Sequence, residues 1–238
     1  SHFKNNPEML KRFRIEANIY LMLSHPNIVK LKDLILKDGA HLVMDYIEGM
    51  TLEKYINSVT GPIPSEVAMA MIKEVASAIG YAHQKKIPIP GFNGVLHLDI
   101  KPSNILISNS GEVMVIDYGI SQGTKEERMD QIVGSLMYMA PEQLQLNSTL
   151  DHRTDIYSLG VLLHQMLTGS TPYSSKNTKD EIIEKIQNEP LERLINIYPH
   201  VDNRLQNVID IATSKKPNKR YQDCEEFIRT LKKIENEA

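Results

Sequence analysis

The sequence predicts an α+β chain in which a short mixed segment leads into a mainly helical body. Three observations carry this. Apolar residues recur at helical spacing over residues 7–23 and 65–85. Two runs rich in Leu, Ile and Val, at 29–37 and 41–47, read as strands on either side of an Asp38-Gly39 turn signal. Beyond residue 150 every extended apolar pattern is helical.

In the first helix Leu10, Phe13, Ala17 and Tyr20 share one face. Gly49 interrupts the strand pattern ahead of a short helix near 51–58. In the long helix over 65–85, Val67, Met71, Val75 and Ile79 lie four apart, and Ile72 and Ala76 widen that face. Met69 and Met71 read as core packing. Pro88, Pro90, Gly91 and Gly94 make 86–96 a loop. Two short strands follow near 105–108 and 113–116, separated by Asn109-Ser110-Gly111. Residues 154–168 form a strongly apolar, buried helix stopped by Gly169. Helices near 178–187 and 203–213 come next. The last helix opens at Asp223 with Glu226 three residues on, resembling a capping box, and Lys232 and Lys233 sit near its negative end.

Composition narrows the function classes. The 238 residues are 41 % hydrophobic and 24 % charged, ordinary for a globular domain. A formal net charge of -3 gives no nucleic-acid footprint. The single cysteine, Cys224, excludes a disulfide framework and is taken as an ordinary residue despite its place at a helix start. No apolar run is long enough to span a bilayer, and no secretory leader opens the chain, so the expectation is a cytoplasmic chain with no membrane segment.

The informative stretch is His97-Leu98-Asp99-Ile100-Lys101-Pro102-Ser103-Asn104, a loop between the long helix and a strand pair. Asp117-Tyr118-Gly119 begins thirteen positions past Asn104, and Ala140-Pro141-Glu142 follows. Phosphoryl transfer needs positioning and electrostatic stabilisation more than covalent work by the protein. Asn104 and Asp117 offer hard oxygen ligands suited to Mg²⁺. Asp99 can accept a hydroxyl proton, and Lys101, two residues on, can steady a phosphate. Singly, each residue has a plainer reading: a solvated or turn aspartate, a packed core histidine, a surface lysine. Together, His, Asp, Lys and Asn at these offsets arise by chance in roughly one chain in a thousand. The further landmarks, in order, remove coincidence.

The set "HLDIKPSNIL", "DYG" and "APE" resembles the protein kinase signature. "HPNIVKL" at 25–31, "LVMDYIEG" at 42–49, "TDIYSLGVLL" at 154–163 and "KKPNKRY" at 215–221 are similar to further landmarks of that family. "NPEMLKRFRIEA", ending at Ala17, looks most like bacterial serine/threonine kinases of the eukaryotic (Hanks) type. The resemblance implies a two-lobed kinase fold. Residues 1–47 would form a partial small lobe of helix, hairpin and hinge; residues 48–238 would form the helical lobe with catalytic loop and activation segment. It implies ATP and Mg²⁺ as cofactors and protein substrates phosphorylated on serine or threonine.

Residue by residue, the resemblance makes Asp99 the catalytic base, Lys101 the γ-phosphate contact, and Asn104 and Asp117 the Mg²⁺ ligands. Glu16 would pair with the ATP-binding lysine. Met44 takes the gatekeeper place, Asp45, Tyr46 and Ile47 the hinge, and Leu106 the floor of the adenine pocket. Tyr20, Leu31, His97 and Tyr118 would stack as the regulatory spine. Ser135 takes the place of the residue beside the substrate hydroxyl. Glu142 would pair with Arg220, and Asp155 would brace the catalytic loop.

Two departures stand out. Leu98 occupies the place of the arginine that grips a phosphate on the activation segment. Activity is therefore not expected to be gated through that contact, whatever happens at Ser121, Thr124 or Ser135. Nor does a Gly-rich loop or a V-A-x-K strand occur in the sequence. Lys4, twelve positions before Glu16 and beside Asn5-Asn6-Pro7, is rejected as the ATP lysine. With Ser1 first, the chain reads as truncated ahead of that lysine, with weak nucleotide binding by itself. Two alternatives remain: a pseudokinase that binds partners through the helical lobe, disfavoured by retention of all four catalytic residues, and a small-molecule kinase, disfavoured by Ala-Pro-Glu, the Asp155 helix and Lys101-Pro102.

Overall fold

The computed structural model describes residues 7–37, 41–87, 94–118, 133–145, 148–173, 177–198 and 201–237. Helix α1 (Pro7–Leu21) buries Phe13, Ala17 and Tyr20 on one face, as its periodicity predicts. Strands β1 (Leu31–Ile35) and β2 (His41–Met44) pair antiparallel, with Leu31 opposite Met44 and Ile35 opposite His41. Both are shorter than the apolar runs that announced them, and the Asp38-Gly39 turn lies outside the described residues.

A second sheet has the order β3–β4–β5, from Gly49–Thr51, Ile105–Ser108 and Val113–Val115. Sequence patterning expects β4 and β5 but treats Gly49 as a break. Gly49 instead opens β3, a strand too short to show a period, and it faces Ser108 across the ladder. The two sheets are tied by the segment before β1. Val29 N–H donates to Val115 O at 3.0 Å, Val115 N–H to Asn27 O at 2.8 Å, and Asn27 Nδ2 to Val113 O at 2.8 Å.

Thr51 caps α2 (Leu52–Tyr55) by accepting from Lys54 N–H, and the chain continues as a wider π turn over Ile56–Thr60. Helix α3 (Ser65–Gln84) buries Met69, Met71, Ile72, Val75, Ala76, Ala78 and Ile79. Val67, placed on that face by spacing, is 43 % exposed while Ala68 and Met69 beside it are buried, because residues four apart drift by about 40° a step and Val67 has turned to the edge of the face that Val75 and Ile79 bury. Residues 88–93 of the following loop lie outside the described residues.

Beyond the short α4 (Val133–Leu136) comes α5 (His152–Thr168), buried from Thr154 to Thr168. It starts two residues ahead of the apolar run because Asp151 accepts from Arg153 N–H and caps it. Gly169 ends it at φ 68°, a left-handed conformation that glycine takes without steric cost. Gly160 lets a neighbouring helix lie close: a Cβ there would stand 2.7 Å from Ala212 Cβ. The remaining helices are α6 (Lys179–Asn188), α7 (Leu194–Ile197), α8 (Asn203–Ala212) and α9 (Cys224–Asn236). Asp223 caps α9 through Glu226 N–H at 2.7 Å, but the Glu226 carboxylate reaches back to Gln222 N–H, one residue before the cap. This is the α+β architecture the sequence predicts, with few strands and a helical body.

A buried ion pair cross-links the helical body. Arg220 Nη1 and Nη2 donate to the two carboxylate oxygens of Glu142 at 2.7 and 2.8 Å, and Thr154 Oγ1 donates to Glu142 at 3.0 Å. The guanidinium also donates to the Arg153 and Ser214 carbonyls and lies 5.0 Å from the Tyr157 ring centre. Removing one partner strands the other charge away from water. Glu142→Ala or Arg220→Ala is expected to lower unfolding free energy by about 3–5 kcal/mol in urea titrations.

Candidate active site

The site grows from the C-terminal end of α3, the first turn of α5 and the β4–β5 hairpin. Asp155, fully buried on α5, spends both carboxylate oxygens on the backbone of the loop above it. Oδ2 accepts from His97 N–H and Oδ1 from Leu98 N–H, each at 2.8 Å. His83, at the end of α3, contributes a third contact, Nε2 to Asp155 Oδ2 at 2.8 Å. Burial alone would push the Asp155 carboxyl up; the His83 hydrogen bond and charge, with His97, hold it below the ordinary carboxylate value.

His97 is fully buried, and that burial lowers its pKa. Nε2 lies 3.0 Å from Ile116 O, and Nδ1 accepts from Asp99 N–H at 3.3 Å. A neutral ring protonated on Nε2 satisfies both contacts. Leu98, between these anchors, is held at φ 61°, a left-handed conformation unusual for a branched apolar residue.

Asp99, Lys101, Asn104 and Ser135 then meet. Asp99 Oδ2 receives Lys101 Nζ at 2.7 Å and Asn104 Nδ2 at 3.0 Å, while Asn104 Nδ2 also donates to the Asp99 carbonyl at 2.8 Å. Lys101 Nζ donates onward to Ser135 Oγ at 2.7 Å. Among the described residues nothing donates to Asp99 Oδ1, so that oxygen is open to an incoming hydroxyl. Asn104 Oδ1 is likewise without a donor among them.

Ile116 N–H donates to Asn104 O at 3.0 Å, which sets Asp117 beside Asn104. Asp117 has φ 59°, and burial, with no described hydrogen-bond donor to offset it, raises its carboxyl pKa. A carboxylate with no described donor, next to an amide oxygen with none, fits a hard divalent cation such as Mg²⁺.

Behind Asp117, the Tyr118 ring packs 4.7 Å from His97 and 5.7 Å from Tyr20, centre to centre. Tyr20 Oη donates to Val29 O at 2.8 Å, and Leu31 is buried in the same core. Met44 is half-buried at the end of β2, opposite Leu31. In the segment that the resemblance makes the hinge, Asp45 N–H donates to Lys30 O at 3.0 Å, the Asp45 carboxylate pairs with Lys32, and Tyr46 is 89 % exposed. Leu106 sits half-buried on β4, opposite Thr51 and Met114. Glu16 lies on α1, and its side chain, with Gly119, Ser121 and Thr124, is outside the described residues. Cys224 is buried, Sγ 3.8 Å from His83 Nδ1, and burial pushes its thiol far above the ordinary value. No described helix is long and apolar enough to cross a membrane.

Sequence reasoning missed two polar contributors. His83 supports Asp155 from 72 positions away, with no local pattern to mark it. Gln143 donates from Nε2 to Leu98 O at 3.2 Å; its place directly after Ala-Pro-Glu was the available signal.

Comparison with known proteins agrees with this geometry. The family model described as protein kinase domain matches residues 1–233, and the chain belongs to that family. Within it, the chain is similar to serine/threonine-protein kinases of bacteria. It is 35 % identical to "Probable serine/threonine-protein kinase PknB" of Lactococcus lactis, over 96 % of this chain and 35 % of that protein. It is 35 % identical to the serine/threonine-protein kinase PrkC of Bacillus subtilis, over 97 % of this chain and 34 % of that protein. It is 30 % identical to the serine/threonine-protein kinase PknB of Mycobacterium tuberculosis, over 97 % of this chain and 37 % of that protein. The chain spans about a third of the length of these relatives.

Two outcomes test the packing around the site. The Tyr118 hydroxyl is buried with no partner among the described residues. An unsatisfied buried hydroxyl costs about 1–3 kcal/mol, so Tyr118→Phe is expected to raise the melting temperature by about 2–12 °C in a thermal scan. Asp155, whose folded pKa is depressed, contributes stability above the ordinary carboxylate value and loses it as pH falls through the folded value. Wild-type unfolding free energy is expected to fall below about pH 4. Asp155→Asn is expected to be less stable at neutral pH and to show a shallower acid limb.

Proposed function

We propose that the protein containing this chain transfers the γ-phosphate of ATP to serine or threonine hydroxyls of protein substrates. The observation that carries the reading is the cluster Asp99–Lys101–Asn104–Ser135, closed by hydrogen bonds of 2.7 to 3.0 Å and leaving Asp99 Oδ1 open.

In this reading the substrate hydroxyl donates to Asp99 Oδ1. Its oxygen attacks the γ-phosphorus, the bond from that phosphorus to the β,γ-bridging oxygen of ATP breaks, and ADP leaves. The hydroxyl proton passes to Asp99. Lys101 is shared between Asp99 and Ser135, so its ammonium stands where charge develops on the transferring phosphoryl group. Asn104 does two things: Nδ2 fixes the Asp99 rotamer, and Oδ1 with the Asp117 carboxylate would hold Mg²⁺. When bound, that ion would neutralise phosphate charge. Ser135 marks where the acceptor residue lies. Met44, the Asp45–Ile47 backbone and Leu106 would receive adenine, and Glu16 would orient the ATP-binding lysine. Leu98 cannot grip an activation-segment phosphate, so turnover does not depend on that contact.

Pseudokinase scaffolding requires none of this polar convergence. The buried Ala-Pro-Glu anchor and the Asp155 brace fit a protein kinase better than a small-molecule kinase. In the full-length protein, Asp99→Asn is expected to lower turnover of a serine- or threonine-containing peptide by about 10²–10⁴-fold, read as radiolabel transfer from [γ-³²P]ATP. Transfer that survives the substitution at wild-type rate, or a wild-type protein with no transfer, would overturn the reading.

A further inference from the structure

Leu98 is the strained point of the catalytic loop, and both of its backbone polar groups are clamped. Its N–H is held by Asp155 on α5. Its carbonyl is held by Gln143, from the 3₁₀ turn Pro141–Leu144 that ends the activation segment. The same Gln143 side chain accepts from Ala140 N–H through Oε1 at 2.8 Å, and Gln143 N–H donates to Ala140 O at 2.9 Å. One amide therefore spans from the Ala-Pro-Glu turn to the peptide unit joining Leu98 to Asp99.

The orientation of that amide is fixed by its neighbours. Ala140 N–H can only donate and Leu98 O can only accept, so Oε1 must face the first and Nε2 the second. The turn itself cannot drift, because the adjacent Glu142 is locked by Arg220 and Thr154. The Leu98 carbonyl belongs to the peptide immediately ahead of Asp99. Its position sets the direction in which the Asp99 side chain leaves the backbone.

We propose that Gln143 is a positioning residue: it couples the end of the activation segment to the catalytic loop through neutral hydrogen bonds, where Leu98 leaves no arginine for a phosphate to grip. The inference rests on the phosphotransfer reading above. Gln143 acts through the Leu98–Asp99 peptide and touches no substrate.

Two variants of the full-length protein separate this from a packing role. Gln143→Glu keeps size and the acceptor toward Ala140 N–H but sets a carboxylate oxygen against the Leu98 carbonyl. Gln143→Met keeps length and removes both hydrogen bonds. Both are expected to lower kcat for peptide phosphorylation by about 10- to 100-fold, because a small misplacement of a catalytic group costs rates of that order. KM for ATP is expected to stay within about twofold, as for a contact remote from nucleotide, and both variants are expected to stay folded at the assay temperature although the lost hydrogen bonds lower the melting temperature. Wild-type kcat in both variants would overturn the proposal. So would a kcat loss that disappears when the assay is run well below the melting temperature, or unfolding of both at the assay temperature, since either makes Gln143 a stability residue. Absence of Asp99-dependent transfer in the wild type would instead sink the phosphotransfer reading itself.

Discussion

The site depends on one buried carboxylate. Asp155 accepts two backbone N–H groups of the catalytic loop and a side-chain contact from His83. A loop of eight residues has little means of holding a left-handed leucine by itself, since that conformation is disfavoured for any branched side chain. The carboxylate is held below its ordinary pKa despite full burial, so its oxygens stay acceptors at neutral pH. Because α5 is the most buried helix of the body, the loop inherits the rigidity of the core rather than the mobility of a surface connection.

From that anchor the polar chain runs outward in a fixed order. Asp155 sets His97 and Leu98; His97 ties to Ile116 and so to the strand end that carries Asp117. Asn104 closes onto Asp99 and onto Ile116, so the proposed base and metal-ligand positions share one framework. The Glu142–Arg220 pair anchors the far side of the loop, where Ser135 and Gln143 approach it. Desolvated charges gain little net free energy but leave few alternative arrangements.

Much of this was legible in the sequence, for two different reasons. Helices α1, α3 and α5 announce themselves through apolar spacing, because each buries a wide face. The pairing of Glu142 with Arg220, 78 positions apart, and the contact of Asp155 with the loop were legible only through resemblance to a family, since no periodicity encodes a long-range polar contact. What escaped notice was set by tertiary context alone. Strand β3 is three residues long and exists because Gly49–Thr51 meets β4. Val67 fits the apolar spacing yet faces out. His83 and Gln143 are ordinary polar residues until the fold brings Asp155 and the Leu98 carbonyl to them. The pattern reports which faces are buried; it does not report which buried polar atoms find each other.

Backbone hydrogen exchange at His97 and Leu98, compared with the centre of α5, tests the central claim most directly. If Asp155 holds the loop as part of the core, both amides exchange as slowly as those of Leu159 to Leu163, opening only when α5 itself opens. Exchange of the His97 and Leu98 amides at the rate of an open surface loop, while α5 stays protected, would contradict the account.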